Sequence, residues 1–388
     1  MNERNILLDD PEDPVKKDTK NFFQVDFLKT FMIAFVIIDH AFGYTMIGGI
    51  GFELWERMAI PVFLIIMGFN MGNSFAKKGD VSLKELYSWN YFKTKLWLFV
   101  FPYFIFYIVS TTIGFILYGA NFPDTFSENW FLEYVVYQKS LLEGPGNWFI
   151  PIVFQSILVL PLIYKLFSKL PKATLILCFI IEISMHLFLF FYMGELVTID
   201  DWLRELYFRY IILLYLSAIG MGFWFSRDHD LFSRKNLFAW MLFPISLIYM
   251  IAWDFFGFRL AIDGSGIVRG DYNYLTFIYS AFIFLIILKI IPQNPKKKIS
   301  KIFTTIGRST FHIYLVQDIF YIVLYINFIS IWTAPGFSGI VNILGIAADD
   351  ILTTVGLLIL NWVVCISCGV IWWYVEKRFR IFVQNRKN

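Results

Sequence analysis

Cysteine and charged residues are both scarce in this chain of 388 residues. Its three cysteines, Cys178, Cys365 and Cys368, provide neither a disulfide framework nor a metal-binding spacing, and we expect them to pack within apolar segments. Charged residues make up only 16% of the sequence, whereas hydrophobic residues make up 58%. A single soluble core cannot bury such a large apolar fraction. The sequence therefore predicts an all-α, polytopic integral membrane protein.

Ten apolar stretches are long enough to span a bilayer, which requires about 20 helical residues. They are residues 27–47, 54–76, 96–118, 148–167, 174–193, 206–225, 237–256, 274–291, 309–331 and 351–374. We therefore divide the chain into a polar N-terminal tail (1–20), one transmembrane domain (21–376) and a basic C-terminal tail (377–388). The polar first twenty residues do not resemble a cleavable signal peptide.

Lysine and arginine concentrate in alternate connections between the spans. The second connection contains Lys77, Lys78 and Lys84, whereas a connection of the opposite set contains Asp200 and Asp201. Because positively charged loops are retained on the cytoplasmic side, we predict that both termini are cytoplasmic. The formal net charge of +3 then reflects topology, and we expect no nucleic-acid partner.

The first span contains two ionisable side chains, Lys29 and His40, eleven residues apart. At about 100° per residue, they lie on one helix face to within roughly 20°, on the order of 16 Å apart. Asp26 is placed to offset the charge of Lys29, which could otherwise extend to the cytoplasmic surface. Asp39 is expected to point about 100° away from His40. Ionisable groups within a bilayer are mostly functional, so His40 is either a general base or a core histidine bonded to a carbonyl.

Other polar side chains within the spans allow two interpretations each. Asn70, Asn73 and Gln155 either line a cavity or form hydrogen bonds between helices, and Trp148 is either pore-lining or an interfacial anchor. Glu182 and His186, four residues apart, form either an ion pair or a proton relay.

Four cations are predicted to gather near Lys29 at the cytoplasmic end of the spans. They are Lys93, Lys95, Arg308 and His312. Arg308 and His312 share one helix face. Such a basic mouth suits an anionic phosphate ligand, although the lysines also serve to set topology.

Six segments occur in the order typical of membrane acyltransferase family 3, and the sequence resembles that family over nearly its whole length. The segments are VDFLKTFMIAFVIIDHA, IPVFLIIMGFNMGNSF, NYFKTKLWLFVFPY, GNWFIPIVFQSILVLPLIY, IGRSTFHIYLVQ and YVEKRFR. The first resembles the opening helix of the family, in which the catalytic histidine follows an arginine by eleven residues. Two positions depart from the family pattern: Lys29 replaces that arginine, and Gln317 stands where the family often has histidine.

The resemblance implies transfer of an acyl group, expected to be acetyl, from cytoplasmic acyl-CoA as co-substrate. The acceptor would be a hydroxyl of an extracytoplasmic or lipid-linked saccharide, as in O-acetylation of a cell-envelope polysaccharide. His40 would act as the general base or form an acyl-histidine intermediate. We expect no metal, a multi-pass location in the plasma membrane with the lipid bilayer as surroundings, and leave a homodimer open.

Two other functions are compatible with the polar residues. A proton-coupled transporter would use His40, Glu182, His186, Asp254 and Asp318 as relay and substrate groups. A membrane scaffold would require the alignment of Lys29 with His40 to be coincidental.

Overall fold

The computed structural model describes residues 22–41, 51, 53–118, 146, 148–196, 210–258, 261–262, 265–266, 272–325 and 351–385. Helices make up nearly all regular structure in these ranges, and two-residue strands β1 (Ala261–Ile262) and β2 (Ser265–Gly266) pair antiparallel. The prediction of an all-α fold is therefore confirmed for the described part of the chain.

Thirteen α-helices are numbered here in chain order. They are α1 (Phe23–Ala41), α2 (Glu53–Glu56), α3 (Ala59–Ala76), α4 (Leu83–Leu86), α5 (Trp89–Lys95), α6 (Phe101–Tyr118), α7 (Phe149–Lys169), α8 (Pro171–Leu196), α9 (Leu216–Arg227), α10 (Leu237–Phe256), α11 (Tyr274–Ile290), α12 (Lys297–Tyr325) and α13 (Ile351–Asn385). A π-helical turn, Leu96–Val100, joins α5 to α6, and 3-10 turns at Ile212–Tyr215 and Arg234–Asn236 precede α9 and α10.

Six helical segments of the described chain are long and apolar enough to cross a membrane. They are Leu54–Ala76, Leu83–Ile113, Phe149–Lys169, Pro171–Phe191, Arg234–Phe256 and Leu358–Val383. Two shorter apolar helices, Ile212–Arg227 and Tyr274–Ile290, lie at two further predicted spans. The predicted spans 27–47 and 309–331 both end outside the described residues. The count of ten and the cytoplasmic location of both termini stay predictions.

Helices α3 and α9 cross at the centre of the molecule. A Cβ atom added at Gly68 would lie 2.2 Å from the carbonyl oxygen of Ile219, and one added at Gly222 would lie 2.1 Å from that of Ile65. The two backbones therefore touch, as small residues allow between membrane helices. The apolar window containing α3 is 72% buried, compared with 17% for the window in α13. Helix α3 is thus largely buried within the protein, while α13 presents apolar side chains outward.

Helix α1 packs closely against α12. A Cβ atom at Gly307 would lie 2.5 Å from the carbonyl oxygen of Asp26, and the Thr30 hydroxyl donates a hydrogen bond of 3.1 Å to the carbonyl oxygen of Phe303. Helix α12 contacts α13 equally closely, since a Cβ atom at Gly369 would lie 2.6 Å from the Cα atom of Ile313. These contacts fix α1, which contains Lys29 and His40, against the long helix α12.

Helix α13 extends beyond the last predicted span. The helix continues into the basic segment that begins at residue 377, and the helix ends at Asn385. Glu376 and Arg380, four residues apart, form an ion pair on this extension. An ion pair at this spacing supports helix where the chain becomes polar.

Candidate active site

His40 lies in the last turn of α1 with its side chain only 13% exposed. Its Nδ1 atom is hydrogen-bonded to the side-chain amide of Gln317 on α12, a residue 277 positions away in sequence. Gln317 is fully buried. The imidazole is therefore held by a side-chain amide from a second helix.

Gly146 covers the imidazole of His40 on another side. Its backbone is left-handed, with φ of 100°, and an added Cβ atom would lie 3.1 Å from His40 Cε1 and 3.3 Å from the Tyr314 hydroxyl oxygen. The Tyr314 hydroxyl in turn donates a hydrogen bond to the carbonyl oxygen of Gly146. Only glycine combines this backbone conformation with such a close approach. His40, Gln317, Tyr314 and Gly146 together are called the imidazole cluster below.

Asp39 also approaches the imidazole. Although adjacent residues of a helix point about 100° apart, its Oδ2 atom lies 3.7 Å from His40 Nε2. Asp39 is thus an acidic side chain of α1 beside the imidazole.

Aromatic rings pack together close in sequence to Gly146, around Trp148. The Trp148 ring is stacked on that of Tyr215, with centroids 5.7 Å apart, and lies 5.5 Å from that of Tyr272, tilted by 31°. The Tyr272 hydroxyl donates a hydrogen bond of 3.3 Å to Glu56, which forms a buried ion pair of 3.1 Å with Arg57. Trp148 is thus packed among aromatic rings two residues after Gly146.

Lys29, Asp26 and Arg308 form a charged group at the opposite end of α1. Lys29 Nζ lies 3.8 Å and Arg308 Nε 4.0 Å from the carboxylate of Asp26. The Lys29 side chain is 22% exposed and that of Arg308 is 37% exposed. The two predicted cations therefore do meet, with Asp26 between them, and we call these three residues the charged mouth.

The lysines of α5 and the asparagines of α3 occupy different surroundings. Lys93 is exposed, whereas Lys95 Nζ lies 3.3 Å from the Met71 sulfur and above the Phe99 ring. Asn73 donates a hydrogen bond to the carbonyl oxygen of Phe69 in its own helix, and Asn70 is exposed. Lys95 thus turns toward α3, while Lys93 points to the surface.

His312 is buried and is paired with a residue of α13, not with the residues of the charged mouth. Its Nε2 atom lies 2.8 Å from Glu376 Oε2, both side chains are at most 2% exposed, and Arg380 binds the other carboxylate oxygen. Although His312 and Arg308 are one turn apart on α12, the structure pairs His312 with α13. Its part in donor binding stays a prediction.

Gln155 and Glu182 both bind backbone groups. The Gln155 amide donates a hydrogen bond of 2.5 Å to the carbonyl oxygen of Tyr210 and accepts one of 2.9 Å from the Ile212 amide. Glu182 accepts a hydrogen bond of 2.8 Å from the Ser217 amide in the first turn of α9. Glu182 therefore caps a helix, and no hydrogen bond joins it to His186 within the described chain.

Sequence reasoning did not assign roles to Gly146, Tyr314 and Glu376, although all three lie in segments quoted for the family resemblance. Gln317 stood out only as a departure from the family pattern. These residues contact parts of the chain that are far away in sequence, and the spacing of residues within one segment does not predict such contacts. Within the described ranges no group of three or more histidine, cysteine or acidic residues is placed to hold a metal ion.

A family model described as an acyltransferase domain, that of acyltransferase family 3, matches residues 22–375. The chain belongs to this acyltransferase family. Comparisons with curated proteins and with solved structures found no match. The match includes every residue of the imidazole cluster and of the charged mouth. In this membrane acyltransferase, His40 of α1 is thus hydrogen-bonded to the buried side-chain amide of Gln317.

Proposed function

We propose that this acyltransferase moves an acyl group, acetyl in the first place, from cytoplasmic acyl-CoA to a hydroxyl group of a saccharide. The observation that carries the proposal is the placement of Lys29 and His40 toward opposite ends of α1. Lys29 lies beside Asp26, which also pairs with Arg308 of α12, whereas His40 is hydrogen-bonded to Gln317 of α12. The charged mouth offers two cations to the phosphates of the donor, and the imidazole cluster offers a base to the acceptor.

The charged mouth is suited to a polyanion. Asp26 holds Lys29 and Arg308 at 3.8 and 4.0 Å, which is longer than a charge-assisted hydrogen bond of about 2.7–2.9 Å. Both cations can therefore turn to a phosphate without breaking a tight ion pair. Lys29 binds as a point charge, so Arg308 is the side chain able to grip a phosphate in two places.

The transfer itself needs one proton acceptor at the reacting hydroxyl. His40 Nε2 takes the hydroxyl proton while the acceptor oxygen attacks the thioester carbonyl. The carbon–sulfur bond then breaks, and the CoA sulfur leaves with the proton returned by the imidazolium. Asp39, 3.7 Å from Nε2, stabilises the imidazolium between these two proton transfers. An acyl-histidine route would require the imidazole nitrogen itself to attack the thioester.

The acceptor class is proposed from the family resemblance. An extracytoplasmic or lipid-linked saccharide of the cell envelope presents many hydroxyl groups, and it would approach His40 from the end of α1 opposite the charged mouth. The plasma membrane is then the location that places both substrates within reach. A saccharide reaching His40 and a CoA reaching Lys29 would meet along one helix face.

The first test measures acetyl transfer from radiolabelled acetyl-CoA by the full chain in lipid nanodiscs, with CoA release and calorimetric binding measured in parallel. We expect His40→Ala to lose about 10²- to 10⁴-fold in turnover, the usual contribution of a general base, and to bind acetyl-CoA as the wild type does. His229→Ala removes an imidazole from another part of the chain, which contacts the ring of Phe22, and serves as the matched control. Near wild-type turnover of His40→Ala, or no binding of any acyl-CoA, would contradict the proposal.

A further inference from the structure

The amide of Gln317 can meet the imidazole of His40 in two orientations. Its nitrogen and oxygen occupy nearly the same shape, so a half-turn of the amide exchanges them without steric change. An amide nitrogen only donates hydrogen bonds and an amide oxygen only accepts them. The two orientations therefore require different positions of the single proton on a neutral imidazole.

In the first orientation the amide nitrogen donates to His40 Nδ1. The ring proton is then on Nε2, and the lone pair of Nδ1 is already used by Gln317. Neither ring nitrogen is available to take a proton from an acceptor hydroxyl. In either orientation the amide atom that points away from His40 is buried without a hydrogen-bond partner among the described residues, so the choice between the two depends on the imidazole.

In the second orientation the oxygen of Gln317 accepts a hydrogen bond from Nδ1–H of His40. Nε2 then carries the basic lone pair, and it is the nitrogen beside Asp39, whose Oδ2 atom lies 3.7 Å away. The carboxylate would stabilise the proton once Nε2 has accepted it. Only this orientation gives His40 both a basic nitrogen and a stabilised product of the proton transfer.

We propose that Gln317 is the positioning residue of the reaction, whose carbonyl oxygen holds His40 as the Nδ1–H tautomer with Nε2 as the base. The inference rests on the proposed function, in which His40 accepts the hydroxyl proton. Gln317 touches no substrate and acts through His40. Being uncharged, it fixes the tautomer and stabilises the imidazolium less than the carboxylate of Asp39 does.

Other ionisable groups surround this pair. Tyr314 lies one turn before Asp318 on α12, and Asp318 acts electrostatically on both Tyr314 and Tyr103 of α6. Asp39 is the acidic group of α1 at the ring. A new carboxylate at position 317 would add a charge directly at Nδ1, whereas these groups remain unchanged in every variant below.

The direct test is nitrogen-15 NMR of the full chain in nanodiscs, labelled at histidine only. The sequence has four histidines, so His40→Ala identifies the two ring resonances of His40. We expect wild-type protein at neutral pH to show Nδ1–H and unprotonated Nε2, and Gln317→Leu to lose this preference. An Nε2–H tautomer in the wild type, or an Nδ1–H tautomer that persists in Gln317→Leu, would overturn the proposal.

The pH profile of turnover provides a second readout. We expect Gln317→Leu to lose about 10- to 100-fold in turnover with the donor KM unchanged, as is typical when the partner that orients a histidine is removed. Gln317→Glu keeps an acceptor at Nδ1 and adds a negative charge, so it should retain turnover at high pH while its acidic limb moves up by about 1–3 pH units. A purely structural role would lower the melting temperature without moving that limb, and such a result would overturn the proposal.

Gln24→Leu is the matched control. Gln24 is a second buried glutamine, on α1, whose amide donates a hydrogen bond of 3.1 Å to the carbonyl oxygen of Ile291 and whose Oε1 atom also has no partner in the described chain. Its replacement should leave the His40 tautomer and the acidic limb unchanged. If His40→Ala instead kept wild-type turnover while the Nδ1–H tautomer was present, the proposed function would fail and the role of Gln317 in setting the tautomer would stand.

Discussion

The two ends of α1 are built from opposite kinds of chemical group. At His40 the imidazole is approached by the Gln317 amide, the Gly146 backbone and one carboxylate, that of Asp39, and the side chain is 13% exposed. At Lys29 the partners are charged, and the nearest cation, Arg308, is 37% exposed. One helix therefore joins a tightly packed, mostly uncharged site to an open, charged one.

The difference separates catalysis from binding. Proton transfer requires fixed geometry, and a displacement of about 1 Å can reduce a rate about 10²-fold. Binding of a phosphate requires charges that are accessible and free to turn. Substitutions at the imidazole cluster should therefore change turnover, whereas substitutions at the charged mouth should change the affinity for the donor.

Among substitutions that leave both His40 and Lys29 in place, the largest effect is expected for Gly146→Ala. The new methyl group would lie 3.1 Å from His40 Cε1 in a backbone conformation that L-residues rarely adopt, so the imidazole must move. We expect a loss of about 10²-fold in turnover with donor affinity unchanged. Gly257→Ala is the control, because Gly257 has φ of 61° but open space around its Cβ position. Equal losses for both variants would mean that backbone strain alone is responsible.

Lys29→Ala tests the other end of the helix. We expect the Kd of acetyl-CoA, measured by calorimetry, to rise roughly 10- to 100-fold, since a hydrogen bond to a charged group contributes about 1.5–3 kcal/mol. The effect should shrink in high salt, and Lys29→Arg should restore binding. Lys172→Ala, at an exposed position of α8, controls for loss of positive charge. Unchanged binding with lower turnover would remove the distinction between the two ends.

The part of this arrangement that lies within α1 could be predicted from the sequence. The eleven-residue interval between Lys29 and His40 follows from helix geometry alone, and the apolar stretches predicted a membrane-spanning helical protein. The ion pairs of Asp26 also follow in part, since Lys29 lies three residues away on the same helix. Local periodicity is enough for contacts within a helix because the helix repeat is fixed.

The contacts between helices could not be predicted in the same way. Gln317 reaches His40 across 277 positions, and nothing in the composition of either segment specifies this pairing. The partner of His312 was also missed, because Arg308 lies one turn away and the spacing suggested a shared basic face, whereas packing turned His312 toward Glu376. Tertiary packing determines which residues of different helices become partners. The pattern of residues within one segment does not specify that packing.

A smaller effect on the packed end is expected for Tyr314→Phe. This variant removes only the hydrogen bond to the carbonyl oxygen of Gly146 and keeps the ring. A single neutral hydrogen bond contributes about 0.5–1.5 kcal/mol, so turnover should fall about 2- to 10-fold. Tyr87→Phe removes a similar hydrogen bond to the carbonyl oxygen of Leu158 and should leave turnover unchanged. A donor affinity that changes in Tyr314→Phe would mean that the contact between Tyr314 and Gly146 also belongs to the binding site.

The smallest effect on either function is expected for His312→Leu. His312 and Glu376 are both buried, and Arg380 is the second partner of that carboxylate, so removal of the imidazole leaves a buried charge with less compensation. We therefore expect a lower melting temperature in nanodiscs and an unchanged Kd for acetyl-CoA. The double variant His312→Leu with Glu376→Leu should regain part of the stability, because an apolar pair of similar size replaces a buried ion pair at little cost. Weaker donor binding at an unchanged melting temperature would instead mean that His312 binds the donor together with Lys29 and Arg308. His312 would then belong to the charged mouth.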